Sequence, residues 1–138
     1  MTADHPNVHS AVARPGLLPA LKGVAGLFAA LMLLQAFLGG RGWFLDRDLI
    51  AIHGGVGGLV VLVAAAQAVL AFLVGAPGAS RRQLAVLSAV ILVLVAVQYG
   101  LGFATRDSAN AAAWHIPNGV LIFGLATANN ATIFRLGR

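Results

Sequence analysis

Four apolar runs, each about as long as a lipid bilayer's hydrocarbon core is thick, leave this chain few ways to fold. They extend from about Leu17 to Gly40, Leu49 to Val74, Leu84 to Phe103 and Ala111 to Phe134. A hydrocarbon core of about 30 Å takes about 20 residues of helix to cross. Inside it every backbone N–H and C=O must be paired by the protein, which restricts spanning segments to helices and closed barrels. The runs are rich in Ala and Leu, which favour helix, and lack the alternation punctuated by turns that marks membrane strands. With 59% hydrophobic and 9% charged residues among 138, the chain is too apolar for a water-soluble domain. The expected fold is all-α, an integral membrane four-helix bundle.

The runs are related in pairs. Gln35-Ala36-Phe37-Leu38-Gly39 precedes His53-Gly54-Gly55-Val56-Gly57, and Gln98-Tyr99-Gly100-Leu101-Gly102 precedes His115-Ile116-Pro117-Asn118-Gly119. The shared pattern is Q-x-x-L-G, a short loop, then H-x-x-x-G. His53 to His115, Gly57 to Gly119, Asp48 to Asn110 and Gln67 to Asn129 are each 62 residues apart, whereas Gln35 to Gln98 and Gly39 to Gly102 are 63 apart. Self-similarity at a fixed period marks a repeat. Repeat 1 covers about 17–76 and repeat 2 about 82–138, and an even number of crossings between them makes the copies parallel, related by a pseudo-two-fold axis along the membrane normal.

Residues 1–16 form a polar tail with His5, His9, Arg14 and Pro15, expected to be disordered and cytoplasmic. Its two histidines read as solvated rather than metal-binding. The first run carries half of a repeat and is long enough to span, so it reads as retained rather than as a cleaved signal. Arg14, Lys22, Arg81, Arg82, Arg135 and Arg138 flank one side, and Arg41, Arg47 and Arg106 the other, where Asp46, Asp48 and Asp107 match them in number. Positive residues favour the cytoplasm. Both termini are therefore expected there, in a bacterial-type plasma membrane, with the loops before His53 and His115 outside. The net charge of +5 is spread over four flanks and forms no basic face for nucleic acid. Trp43 and Trp114 read as interfacial belt residues.

Asp48 and Asn110 are good N-cap types, and each histidine follows five residues later, about 7 to 8 Å down its helix. Gln35 and Gln98 lie at similar depth before the outer ends of their helices. Each helix thus gives one polar side chain to a single layer near the outer surface, and an imidazole kept in hydrocarbon points to a site. Gly57 and Gly119, at i+4 from the histidines, share their helical face one turn deeper. With Gly39, Gly54, Gly100 and Gly102 they leave room for a flat ligand, although small residues at this spacing also draw membrane helices together. Pro117 removes one backbone bond in the fourth helix and is expected to bend it. No second histidine layer lies deeper, where Gln67 and Asn129 are expected to bridge helices or contact a partner.

The chemistry of the layer narrows its ligand. Zinc usually takes four protein ligands, and no cysteine or carboxylate completes such a set here. Copper favours thiolate or methionine, and Met32 is the one internal methionine. The absence of cysteine also removes disulfides, iron–sulfur clusters and thiolate-bound or covalently attached haem. Haem needs only two axial nitrogens, which His53 and His115 would supply. Arg41, Arg47 and Arg106 are on the same side, placed for haem propionates or for lipid phosphate.

The order of Q-x-x-L-G and then histidine, occurring twice between about Leu17 and Phe134, resembles one four-helix half of the haem A synthases. That resemblance implies a four-helix bundle whose paired histidines, here His53 and His115, hold haem near the outer face. Where the family's catalytic half has a carboxylate three residues before its first histidine and an arginine just after it, this chain has Ile50 and Gly54. The family's outer-loop cysteine pair is absent too. The resemblance therefore points to the half that holds a b-type haem rather than to haem hydroxylation.

The expected function is a membrane b-type haem-binding protein with bis-histidine ligation, an electron-transfer protein or haem-carrying subunit rather than an enzyme. Gln35, Gly39, Arg41, Gly57, Gln98, Gly102, Arg106 and Gly119 would surround one haem b ligated by His53 and His115. Two alternatives stay open: a membrane scaffold whose polar layer fixes helix register, and a quinone-binding protein. A homodimer or a larger membrane complex is the expected assembly.

Overall fold

The computed structural model of the chain describes residues 16–74 and 78–136. Residues 1–15 of the expected tail, with His5 and His9, lie outside the described residues. Four helices follow one another: α1 (Leu17–Phe44), α2 (Asp48–Leu73), α3 (Gly78–Ala104) and α4 (Ala109–Arg135). At 26 to 28 residues each is about 40 Å long, enough to cross a bilayer. The protein is a multi-pass membrane four-helix bundle built of two helical hairpins, α1–α2 and α3–α4.

The helices are apolar on all sides, as befits segments that pack on one another through one face and on lipid through the rest. Leu33, Leu62, Val93 and Val120, one from each helix, are more than half exposed. Each helix packs against its neighbours in sequence, and α1 against α4 closes the ring as the loosest of the four seams. His53 and His115 are therefore on helices that face each other diagonally, α2 and α4.

Hairpin geometry explains where the helices end. Leu45–Arg47 make the turn between α1 and α2, with the Leu45 and Asp46 N–H groups donating to the Arg41 carbonyl at 2.8 and 3.0 Å. Gly42 lets the two helices meet there, because a Cβ would sit 2.8 Å from Ile50 Cδ1. The expected caps are corrected at both outer starts. Asp48 is the first residue of α2, and its N–H donates to Asp46 Oδ1 at 3.1 Å. In α4 the cap is Ser108, whose extended backbone carries Oγ to the Ala111 N–H at 3.3 Å. Asn110 is thus inside the helix, which winds up earlier because Ser108 already satisfies an N-terminal donor. Pro117 sits within α4 without ending it.

The interior is divided along its length. One apolar cluster holds Phe28, Leu31, Val60, Val63, Ile91, Val95 and Ile122; a second, nearer the ends that carry the termini, holds Leu21, Ala25, Ala71, Leu84 and Ile133. Between them lie Gln67, Ser88 and Asn129, all at most 1% exposed. Asn129 donates to Ser88 Oγ at 3.0 Å, and the neighbouring Asn130 donates to the Ala25 carbonyl at 3.1 Å. Lys22 Nζ reaches the Leu136 carbonyl at 2.9 Å, placing a cation at the C-terminal end of α4 where the helix dipole favours one.

Candidate cofactor site at the paired histidines

The repeat is visible as two copies of one set of contacts. On α1, a Cβ at Gly39 would stand 3.1 Å from His53 Cε1 and 3.3 Å from its Nδ1; on α3, a Cβ at Gly102 would stand 3.3 Å from His115 Cε1. Each imidazole from an even-numbered helix lies against a glycine of the helix before it. One turn deeper, Gly57 faces Gln35 Nε2 at 3.0 Å and Gly119 faces Gln98 Nε2 at 3.1 Å, measured to a Cβ at the glycine. The spacing Q-x-x-L-G thus serves a single purpose twice: the glycine gives room for the ring and the glutamine fills the adjoining space.

The rings themselves meet across the bundle. His53 and His115 have centroids 6.1 Å apart with an angle of 69° between their planes. A metal–imidazole bond of about 2 Å on each side of one metal, extended by the ring radii, sets the centroids of a linear pair about 6 Å apart. His53 Nδ1 is 3.1 Å from the Gln35 carbonyl oxygen. A carbonyl only accepts, so Nδ1 carries the proton and Nε2 keeps its lone pair. Metal-binding histidines are ordinarily held this way, with the ring nitrogen that does not bind metal donating to a carbonyl or carboxylate. His115 differs. Its Nδ1 is buried with no hydrogen-bond partner.

The two glutamines differ as well. Gln98 Oε1 accepts from Asn118 Nδ2 at 2.8 Å, and the same amide also donates to the Leu94 carbonyl at 3.1 Å. Val56 takes the place of Asn118 in the first repeat, and Gln35 Oε1 is buried without a partner. Orphaned polar atoms in a buried layer are costly in hydrocarbon, and two of them, His115 Nδ1 and Gln35 Oε1, belong to the histidine and glutamine residues of the repeat.

Among the described residues no three His, Cys, Asp or Glu side chains come together as a metal-binding group. The two histidine side chains are the imidazole ligands the layer could offer a metal, and a metal that brings its remaining ligands with it, as haem does, asks for no more than two. Arg41 and Arg106 are exposed at the same end, each over a nearby aromatic ring: Arg41 lies 5.7 Å from the Phe37 ring centre within α1, and Arg106, in the turn after α3, lies 5.4 Å from that of Phe103. Arg47 lies 4.7 Å from the exposed Trp43 ring.

Two sequence expectations need correction. Gly54 and Gly100 have nothing within 4 Å of a Cβ and are exposed, because they point away from the ring-bearing face; they do not widen the slot. Gln67 and Asn129 are too deeply buried to contact a partner. Asn129 does join helices, through Ser88, while both amide atoms of Gln67 are unpaired. The sequence reading passed over Asn118, Tyr99 and Ser88. Asn118 and Ser88 could have been found as polar residues inside apolar runs, and Tyr99 as the bulky counterpart of Ala36 in the repeat. No family model matches this chain, and no curated protein or solved structure matches it either.

Proposed function

We propose that this chain is a membrane b-type haem-binding protein in which His53 and His115 are the two axial ligands. The observation that carries this reading is the approach of the two rings to 6.1 Å between centroids with the Nδ1 of His53 anchored on the Gln35 carbonyl, so that Nε2 of His53 is the nitrogen left to bind. Bound haem would supply one-electron redox chemistry, and ligation from both sides favours electron transfer over oxygen activation. Gly39 and Gly102 seat the imidazoles. Gln35 and Gln98, with Gly57 and Gly119, set the width and polarity of the space beside them. Arg41 and Arg106 are the partners for carboxylates at the rim.

In this proposal the histidine layer lies near the outer face of a bacterial-type plasma membrane, and both termini are cytoplasmic, on the excess of basic residues at that end. The chain is then an electron carrier or haem-bearing subunit, related to the haem b-holding half of the haem A synthases, and works as a homodimer or within a larger complex. A second reading, a scaffold with no cofactor, is favoured by the Asn118–Gln98 and Asn129–Ser88 bonds, which fix helix register by themselves.

The two readings separate on one experiment. The purified protein, expressed with haem available, is examined by reduced-minus-oxidised absorption spectroscopy and its haem counted per chain. Sharp α and β bands with one low-spin haem per chain support the proposal, and a colourless folded bundle that takes up no added haem supports the scaffold.

A further inference from the structure

The two repeats agree in histidine, glutamine and glycine and disagree beside them. Tyr99 on α3 and Ala36 on α1 hold equivalent positions, 63 residues apart. Tyr99 lies over α2: a Cβ on Gly57 would meet its ring at 3.3 Å, and one on Gly58 its hydroxyl at 3.4 Å. Phe103 backs it, with centroids 5.0 Å apart and planes at 88°. An aromatic side chain seated on two glycines therefore closes the α2/α3 seam one helical turn below the histidines.

The equivalent seam, between α4 and α1, has nothing of the kind. Ala36 replaces the tyrosine and Val120 the second glycine. A Cβ on Gly119 would find Gln98 within 4 Å and no atom of α1. Val120 is 69% exposed, so it does not fill what Ala36 leaves. Connectivity points the same way: α1 is tied to α2, α2 to α3 and α3 to α4 by short links, whereas no link joins α1 to α4. Among the described residues, the hydrogen bonds between these two helices, Lys22 to Leu136 and Asn130 to Ala25, both lie in the half remote from the histidines. The seam is pinned at one end and unpinned at the other.

We propose that the α1/α4 seam beside Ala36 is the opening through which a flat, apolar tetrapyrrole reaches the histidine pair laterally from the bilayer, while Tyr99 seals the opposite seam. This rests on the haem reading of the site. Helices held at one end open at the other by a small rocking motion, and a ligand dissolved in lipid then needs no path through the polar surface. The side chain at position 36 sets how wide that path is.

The test uses the absence of native cysteine. Apo-protein carrying Ala36→Cys is reconstituted in lipid nanodiscs and mixed with haemin-loaded vesicles, and the rise of the Soret band is timed before and after attachment of a benzyl group through a reversible disulfide. The label is expected to slow uptake at least about tenfold, as a steric gate on association would, and its reductive removal followed by dialysis to restore the parent rate. Ala36→Phe should behave like the labelled protein, and Tyr99→Ala added to it should restore uptake by opening the equivalent seam. Uptake at the parent rate by labelled protein and by Ala36→Phe overturns the proposal while the haem reading stands. A parent that takes up no haem overturns both.

Discussion

His53 Nδ1 donates to the backbone carbonyl of Gln35 across the first hairpin at 3.1 Å, and this bond makes the tautomer of His53 independent of the glutamine side chain. Gln35→Ala should therefore leave the ligand set intact and change only the polarity beside it. A shifted midpoint potential or partial haem occupancy, with the low-spin spectrum kept, is the expected outcome of redox titration. Loss of low-spin character in Gln35→Ala would show that the side chain itself holds the imidazole.

The glycines against the rings are less forgiving. Cβ atoms at Gly39 and Gly102 would stand 3.1 and 3.3 Å from the imidazole edges, tighter than ordinary contact, so Gly39→Val and Gly102→Val should push each ring away from the bundle axis. Gly57→Leu and Gly119→Leu should fill the space one turn deeper. Haem per chain should fall severalfold in each while the circular dichroism spectrum stays helical. Gly54→Leu and Gly100→Leu, at exposed positions, are the controls that should keep haem.

The inner polar layer makes a prediction about stability alone. Both amide atoms of Gln67 are buried without partners, and a buried group in that state costs about 1 to 3 kcal/mol. Gln67→Leu should raise the thermal midpoint in detergent. Ser88→Ala should lower it, at a loss of about 1 to 2 kcal/mol of stability, because the Asn129 amide loses its acceptor. A destabilised Gln67→Leu would mean that this amide is satisfied in the membrane.

At the outer turn the constraint is steric. Gly42 is buried, and a Cβ there would lie 2.8 Å from Ile50 Cδ1, so Gly42→Val should force α1 and α2 apart. Overpacking of this kind costs about 1 to 3 kcal/mol, which should appear as a lower thermal midpoint in apo-protein.

Much of this architecture was legible in the chain because the bilayer imposes it. Four long apolar runs admit little but helices, and the 62-residue spacing of His53 and His115 places them on parallel helices of matching hairpins. What escaped the sequence depends on rotation and on local competition for hydrogen bonds. Ser108 caps α4 ahead of Asn110 because its backbone is extended there, a property composition does not reveal. Gly54 and Gly100 sit close in sequence to the site yet face away from it, since one residue along a helix turns the side chain by about 100°. Tyr99 stands out in the repeat as the bulky counterpart of Ala36, but that its ring packs on two glycines of α2 is visible only in the fold.

In the proposed function two imidazoles, and no other protein groups, would hold the iron. The most direct test of this ligation is low-temperature electron paramagnetic resonance on oxidised parent protein, His53→Ala and His115→Ala, each first shown to be folded by circular dichroism. The parent should give a low-spin bis-imidazole signal, replaced in each single variant by a high-spin signal or by none. An unchanged low-spin signal in either folded variant would contradict that ligation.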